Sequence, residues 1–346
     1  MKLRRYVSIV MILCMAISMT ACGEHEIISE EKVVEDEDKL EIGMTFDSFV
    51  IERWQRDRDV FVAAAKELGA EVNVQNANGE VEEQIAQIEY FIDRKVDVIV
   101  VISIDGEKLV SVVNKAKKAG IKVIAYDRPI KYADSDLFIS FDNEAVGRMM
   151  GEAMCSKLPA NSKIIMISGP NSDSNVPMVN AGFENVVKRN KNEIIDITYA
   201  EGWKAEEAYN YINDNVRMVA EADAIMCGND NLAGQAIKAL SERRLAGKVL
   251  VVGQDAELEA CQRIVEGTQL MTVYKPVEKL AKAAAEYAVK LAKGEDLGIE
   301  ETYMEGAYEI PCVTLEPVKV MKDNMDEVIV NSGFHLREDV YMNVTE

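Results

Sequence analysis

The sequence predicts an α/β protein of two similar, doubly wound parallel-sheet lobes, with segments crossing between them near positions 142, 273 and 310. Three observations carry that expectation. Strand-like and helix-like stretches alternate with short connections, the order that favours a parallel sheet with right-handed crossovers. Val96 to Ile102, V-D-V-I-V-V-I, is nearly continuous in apolar residues, as a strand is when helices cover both faces of its sheet. The same alternation then repeats in the second half of the chain.

Taken in order, the first strand spans Glu41 to Asp47. A helix follows from about Glu52 to Leu68, with Val60, Phe61, Ala64, Ala65 and Leu68 on one face and Gly69 as its stop. A strand at Glu71 to Gln75 ends in the turn cluster Asn76-Ala77-Asn78-Gly79 and leads to a helix striped by Val81, Ile85, Ile88 and Ile92. After the Val96 strand, a helix from Glu107 to Ala119 stops at Gly120 and feeds K-V-I-A-Y from Lys122. That strand halts at Asp127-Arg128-Pro129, because proline cannot donate to a sheet ladder and drives the residue before it from helical geometry. Asp136 to Phe141 completes the first series. The second has strands at Lys163 to Ser168, Ile194 to Tyr199, Ala222 to Cys227 and Lys248 to Gly253. Helices near Val176 to Lys188, Ala205 to Val219, Leu232 to Glu242 and Glu257 to Glu266 separate them. Leu270 to Tyr274 and a helix from Val277 to Lys293 look like a return to the first lobe. Strand-like fragments at Val313 to Val320 and Glu327 to Val330 end the chain. The first lobe is therefore assigned residues 40–142 and 274–310, the second 143–273 and 311–346.

The ends of the chain's first segment differ from this body. Lys2, Arg4 and Arg5 precede an apolar run from Tyr6 to Ile17, too short to span a bilayer and suited to a secretory signal. Met19-Thr20-Ala21-Cys22 resembles a bacterial lipobox, which makes Cys22 the expected lipidation site and residues 1–22 the signal; an ordinary signal cleavage with Cys22 incidental is the alternative. Residues 23–39 are rich in Glu and Asp and read as a disordered tether. A formal net charge of -21 argues against nucleic-acid partners, which reward clustered Lys and Arg. The body holds Cys155, Cys227, Cys261 and Cys312 without C-x-x-C spacing, and the chain has only His25 and His335, so no metal site is expected. Buried free thiols are the default, with a disulfide left open. No G-x-G-x-x-G, P-loop or G-x-S-x-G is present, and neither a catalytic residue nor a cofactor is expected.

Ligands of open α/β sheets bind outside the carboxyl ends of the strands. Residues that follow strands here include Asp47, Arg53, Trp54, Asp127, Arg128, Asp173, Asn175, Trp203, Asn229, Asp230, Asp255 and Lys275. Carboxylates accept from sugar hydroxyls, Arg and Lys donate to them, Asn does both, and an indole covers a pyranose face. Each also has a plainer role: Trp54 as helix packing, Asp127 and Arg128 as a mutual pair, Asp255 as a helix cap, Lys275 in solvent.

On E-R-W-Q-R-D-R-D from Glu52, V-Q-N-A-N-G from Val74, A-Y-D-R from Ala125, I-S-F-D-N-E from Ile139, G-N-D from Gly228, G-Q-D-A from Gly253 and G-T-Q-L-M-T-V-Y-K-P from Gly267, the body resembles the periplasmic-binding-protein type I sugar receptors, within them the D-xylose receptors of ABC transporters. The resemblance runs from Ile42 to G-F-H at Gly333. It implies two lobes joined by three crossing segments and closing on one monosaccharide, D-xylose above others. It further implies that Arg53, Asp127, Arg128, Asn175, Asn229, Asp255 and Lys275, with Asp173 beside them, hydrogen-bond the sugar, and that Trp54 and Trp203 stack on it. The expected protein is an extracytoplasmic monomer anchored to the membrane by lipidated Cys22, serving an ABC permease. The alternative is the same lipoprotein presenting its sugar to a membrane sensor kinase or chemoreceptor. A cytoplasmic repressor lacks support because no basic helix-turn-helix precedes residue 41, and a glycosidase lacks an acid-base pair identifiable by spacing.

Overall fold

The computed structural model describes residues 39–344; the expected signal, Cys22 and all of the tether except Lys39 lie outside them. The chain begins β1 (Leu40–Phe46), α1 (Arg53–Glu67), β2 (Ala70–Asn76), α2 (Val81–Arg94), β3 (Val98–Val101), α3 (Val110–Lys118), β4 (Lys122–Tyr126) and β5 (Leu137–Phe141). It continues α4 (Asn143–Cys155), β6 (Lys163–Ser168), α5 (Val176–Arg189), β7 (Glu193–Tyr199), α6 (Glu206–Asp214), α7 (Val216–Val219), β8 (Ala224–Cys227), α8 (Asp230–Glu242), β9 (Leu250–Val252), α9 (Leu258–Glu266) and β10 (Thr272–Tyr274). It ends α10 (Val277–Ala292), β11 (Thr302–Glu305), β12 (Tyr308–Leu315), β13 (Val318–Val320) and α11 (Arg337–Val340).

One lobe is a seven-stranded sheet in the order β11-β12-β5-β4-β3-β1-β2, parallel except for the β11–β12 hairpin. The other is a four-stranded parallel sheet, β7-β6-β8-β9, which a bridge between Val252 and Met271 extends towards the antiparallel pair β10–β13. In each sheet the chain runs outward on one side and then resumes on the other, between β1 and β3 and between β6 and β8. Such reversals open a crevice at the strand carboxyl ends. The central strands are apolar on both faces: Val98, Ile99, Val100 and Val101 of β3 are all fully buried. Each such side chain contributes about 1.5–3 kcal/mol relative to exposure.

Several details depart from the sequence reading, among them the unanticipated strand β11 and the start of β12 at Tyr308 rather than Val313. The helix α4, over a stretch to which the sequence reading assigned no element, contains Gly147 and Gly151. They admit α5 at close range: a Cβ on Gly147 would lie 1.8 Å from the Val179 carbonyl oxygen, and one on Gly182 2.1 Å from that of Glu144. Asp142 caps α4 by accepting from the Ala145 amide at 2.8 Å. The stretch expected as one helix from Ala205 to Val219 breaks at Asn215, whose φ of -113° and ψ of 35° are not helical. Glu327 to Val330, expected as a strand, is a helical turn over Asp326–Val330 that buries Ile329. Finally, β12 pairs with β5 as far as Leu315, so the third crossing lies between Leu315 and Val318 rather than near 310. Cys155, Cys227, Cys261 and Cys312 are buried free thiols. Among the described residues no helix is long and apolar enough to cross a membrane.

Candidate functional site

The strand ends of both sheets meet around one cavity. It is lined by Arg53, Trp54, Asp127, Arg128, Asp173, Asn175, Trp203, Asp255 and Lys275, nine of the ten residues selected from the sequence. Asn229 is buried beside it without lining it; its neighbour Gly228 does. Asn229 caps α8, its Oδ1 accepting from the Leu232 amide at 2.9 Å, which leaves Nδ2 without a partner among the described residues.

Backbone strain aims several of these side chains. Asp127, Trp203 and Asp255 have φ of 65°, 58° and 95°, a region that residues bearing a Cβ seldom enter. Such conformations cost about 1–3 kcal/mol each and cluster where function demands them. The Asp127 turn is secured from several sides: its amide donates to the Ile139 carbonyl at 2.8 Å, and its own carbonyl accepts from Ser140 Oγ at 2.6 Å and Asn175 Nδ2 at 3.1 Å. Trp203 fits because Gly169 and Gly228 leave room for its ring. Its Nε1 donates to Asp173 Oδ2 at 3.1 Å.

Each guanidinium is gripped by carboxylates. Arg53 donates through Nε and Nη2 to Asp57 at 3.2 and 3.1 Å, and pairs with Asp127 Oδ2 at 2.9 Å. Tyr126 donates its hydroxyl to the same Asp57 carboxylate. Arg128 Nη1 reaches Asp47 Oδ2 at 2.7 Å and the Ser103 carbonyl at 2.9 Å, while its Nε pairs with Asp173 Oδ2 at 2.7 Å. The Arg53 and Arg128 guanidinium carbons lie 4.4 and 5.4 Å from the Trp54 ring centroid. Contacts cross between the lobes at Arg128–Asp173 and at Asn175 Nδ2 with Asp127 Oδ1, the latter at 2.9 Å. Lys275 Nζ approaches Asp255 Oδ1 at 3.4 Å without the alignment of a hydrogen bond.

Burial alone would raise the Asp127 carboxyl, but Arg53, Lys275 and Arg128 together outweigh it and hold it below its ordinary value. For Asp47 and Asp57, behind the arginines, burial wins and lifts both carboxyls despite their cationic partners. Burial likewise opposes the Arg53 charge, yet Asp127 and Asp57 push that pKa up and fix the cation. The cavity wall thus carries three cations, Arg53, Arg128 and Lys275, against three carboxylates, Asp127, Asp173 and Asp255. That balance favours a neutral ligand over an anion or a cation.

Several buried polar atoms of the lining have no hydrogen-bond partner among the described residues: Trp54 Nε1, Asn175 Oδ1, Gln254 Oε1 and Asp255 Oδ1. A buried polar group left unsatisfied costs about 1–3 kcal/mol, so a cavity collecting them is built to receive donors and acceptors. Asn143 and Gln254 also line the cavity and were not selected from the sequence, although both follow strand ends, in the I-S-F-D-N-E and G-Q-D-A segments. Among the described residues no group of three His, Cys, Asp or Glu is placed to hold a metal ion.

Comparison with known proteins agrees with this architecture. A periplasmic binding protein domain model matches residues 42–296. Over 307 residues the chain is 41% identical to the D-xylose-binding periplasmic proteins of Haemophilus influenzae and Escherichia coli, covering 87% of this chain and 92% and 93% of theirs. The crystal structure of an ABC transporter solute binding protein from Clostridium phytofermentans, with bound beta-D-glucose, superposes with a TM-score of 0.80 at 26% identity, over 87% of this chain and 99% of that one. These relatives are solute-binding proteins rather than enzymes, and the chain with its two-lobed type I fold belongs to the periplasmic binding protein family.

Proposed function

We propose that the protein is an extracytoplasmic, lipid-anchored receptor that binds D-xylose in the cleft between its lobes and delivers it to an ABC permease. The observation that carries this reading is one charge-balanced cavity, where nine residues that follow six strand ends gather, with buried polar atoms left unsatisfied among its lining residues and two indoles beside them. A neutral polyol answers that wall: its hydroxyls donate to Asp127 and Asp255, accept from Arg53, Arg128 and Lys275, and do both with Asn175, while Trp54 and Trp203 cover its C–H faces. Hydrogen bonds to charged groups contribute about 1.5–3 kcal/mol each, so a handful supports about micromolar affinity after association costs. The 41% identity to two D-xylose-binding proteins favours xylose among monosaccharides. The lipid anchor rests on the lipobox-like segment ending at Cys22.

Isothermal titration against a panel of pentoses and hexoses tests the reading. Saturable binding of D-xylose, tighter than that of the other sugars, is expected. No heat with D-xylose alongside tight binding of another sugar would overturn the specificity.

A further inference from the structure

We propose that Phe334 and His335 are positioning residues of this site: the C-terminal segment clasps the backs of the segments that carry Asp255, Lys275 and the Arg53-Trp54 pair. The proposal rests on the reading of the cleft given above.

Neither Phe334 nor His335 lines the cavity, yet two of their contacts fall next to a residue that does and the third falls one helical turn from Arg53. His335 Nε2 lies 2.8 Å from the Ala256 carbonyl. Ala256 directly follows Asp255, and the two have φ of 54° and 95°, consecutive left-handed residues that the chain alone would not hold. The turn is tied at its amide too, since Ala256 N donates to Thr272 Oγ1 at 3.1 Å. Because a carbonyl accepts, His335 must present Nε2–H. Burial pushes its imidazole pKa down, which keeps the ring neutral at pH 7.

Phe334 makes the second and third contacts. Its ring centroid is 4.7 Å from that of Tyr274, the residue before Lys275. Arg56, one turn along α1 from Arg53, sets its guanidinium carbon 4.1 Å from the Phe334 centroid and donates through Nη2 to the Phe334 carbonyl at 3.1 Å. Nη1 of the same arginine donates to Glu278 at the start of α10, at 3.0 Å. Arg56 and Glu278 belong to the first lobe, whereas the terminal segment follows β13 of the second. The clasp therefore joins the lobes at the place where it also braces Asp255 and Lys275. A tail that only finished the fold would have no reason to grip all of these segments at once.

Full-length protein is titrated with D-xylose by calorimetry, its dissociation rate is followed by tryptophan fluorescence, and the melting temperature is measured without sugar. Wild type comes first: absence of sugar binding there overturns the reading of the cleft and the clasp with it. Where wild type binds, His335→Leu and Phe334→Ala are expected to weaken D-xylose by about tenfold or more, the loss of roughly one hydrogen bond or ring contact. His335→Gln, which restores an N–H at the Nε2 position, returns the Kd to within about threefold of wild type at the same sugar-free melting temperature. Arg56→Gln speeds sugar dissociation. Unchanged affinity in His335→Leu, or equal loss in His335→Leu and His335→Gln, overturns the clasp while leaving the cleft reading intact. Should Phe334→Ala fail to fold, the two His335 variants decide the matter.

Discussion

Gly169→Ala tests whether the Trp203 indole shapes the site. A Cβ at position 169 would lie 2.2 Å from Trp203 Cη2, 2.3 Å from Cζ2 and 2.7 Å from Cζ3. Carbon atoms rest at about 3.5–4.0 Å, so the ring must retreat by about 1.3–1.8 Å. That movement takes the indole from the position proposed to stack on the sugar and pulls Nε1 from Asp173, the carboxylate that also holds Arg128. Stacking contributes about 0.5–1.5 kcal/mol and a hydrogen bond to a charged group about 1.5–3 kcal/mol, so D-xylose affinity should fall by roughly 30- to 2000-fold. Overpacking should also cost about 1–3 kcal/mol of stability, visible as a lower Tm. Calorimetry with a parallel fluorescence titration reads the loss. A double-mutant cycle isolates its cause: in a Trp203→Ala background the added methyl should change Kd little. A Kd within about threefold of wild type for Gly169→Ala would refute the reasoning.

Arg128→Lys should weaken sugar binding at least about tenfold, because an ammonium cannot span Asp47, Asp173 and the Ser103 carbonyl as the planar guanidinium does; calorimetry checks it. Glu257 gives a pH prediction. Burial first, then Asp230, Asp255 and Glu52, lifts its carboxyl from an ordinary 4.5 to about 9. Between those values the folded state holds a proton that the unfolded chain has lost, so this group's contribution to stability declines as pH rises through that window. Glu257→Gln should leave the Tm unchanged near pH 4.5 and raise it at pH 9, as read by thermal melts across the range.

Much of this site was legible because a parallel strand buried on both faces spells itself out. After Lys122 the run V-I-A-Y is buried and has nowhere to place a charge until the sheet ends, so Asp127 and Arg128 announce the rim. The same logic located Asp255 and Lys275. What supports the arginines was hidden. Asp57 sits within the charged run E-R-W-Q-R-D-R-D, where it looks like solvated surface, although its spacing of four from Arg53 would have suggested a helical ion pair. Helix α4 was obscured because Gly147 and Gly151 weaken its local propensity, and the reason for glycine lies on α5, far along the chain. The last strand-like fragment failed for a related cause: V-I-V in Glu327 to Val330 has strand composition, but no sheet edge receives it and Ile329 packs beside Phe334 and Val340 in the terminal core instead. Patterns set by one element's own burial could be read locally, whereas those set by a distant neighbour could not.

A crystal structure of the protein grown with D-xylose tests the central claim most directly. The sugar should occupy the cavity between Trp54 and Trp203, with its hydroxyls within about 3.2 Å of Arg53, Asp127, Asn175 and Asp255. Density for the sugar on any other surface, with those side chains still paired only to one another, would contradict it.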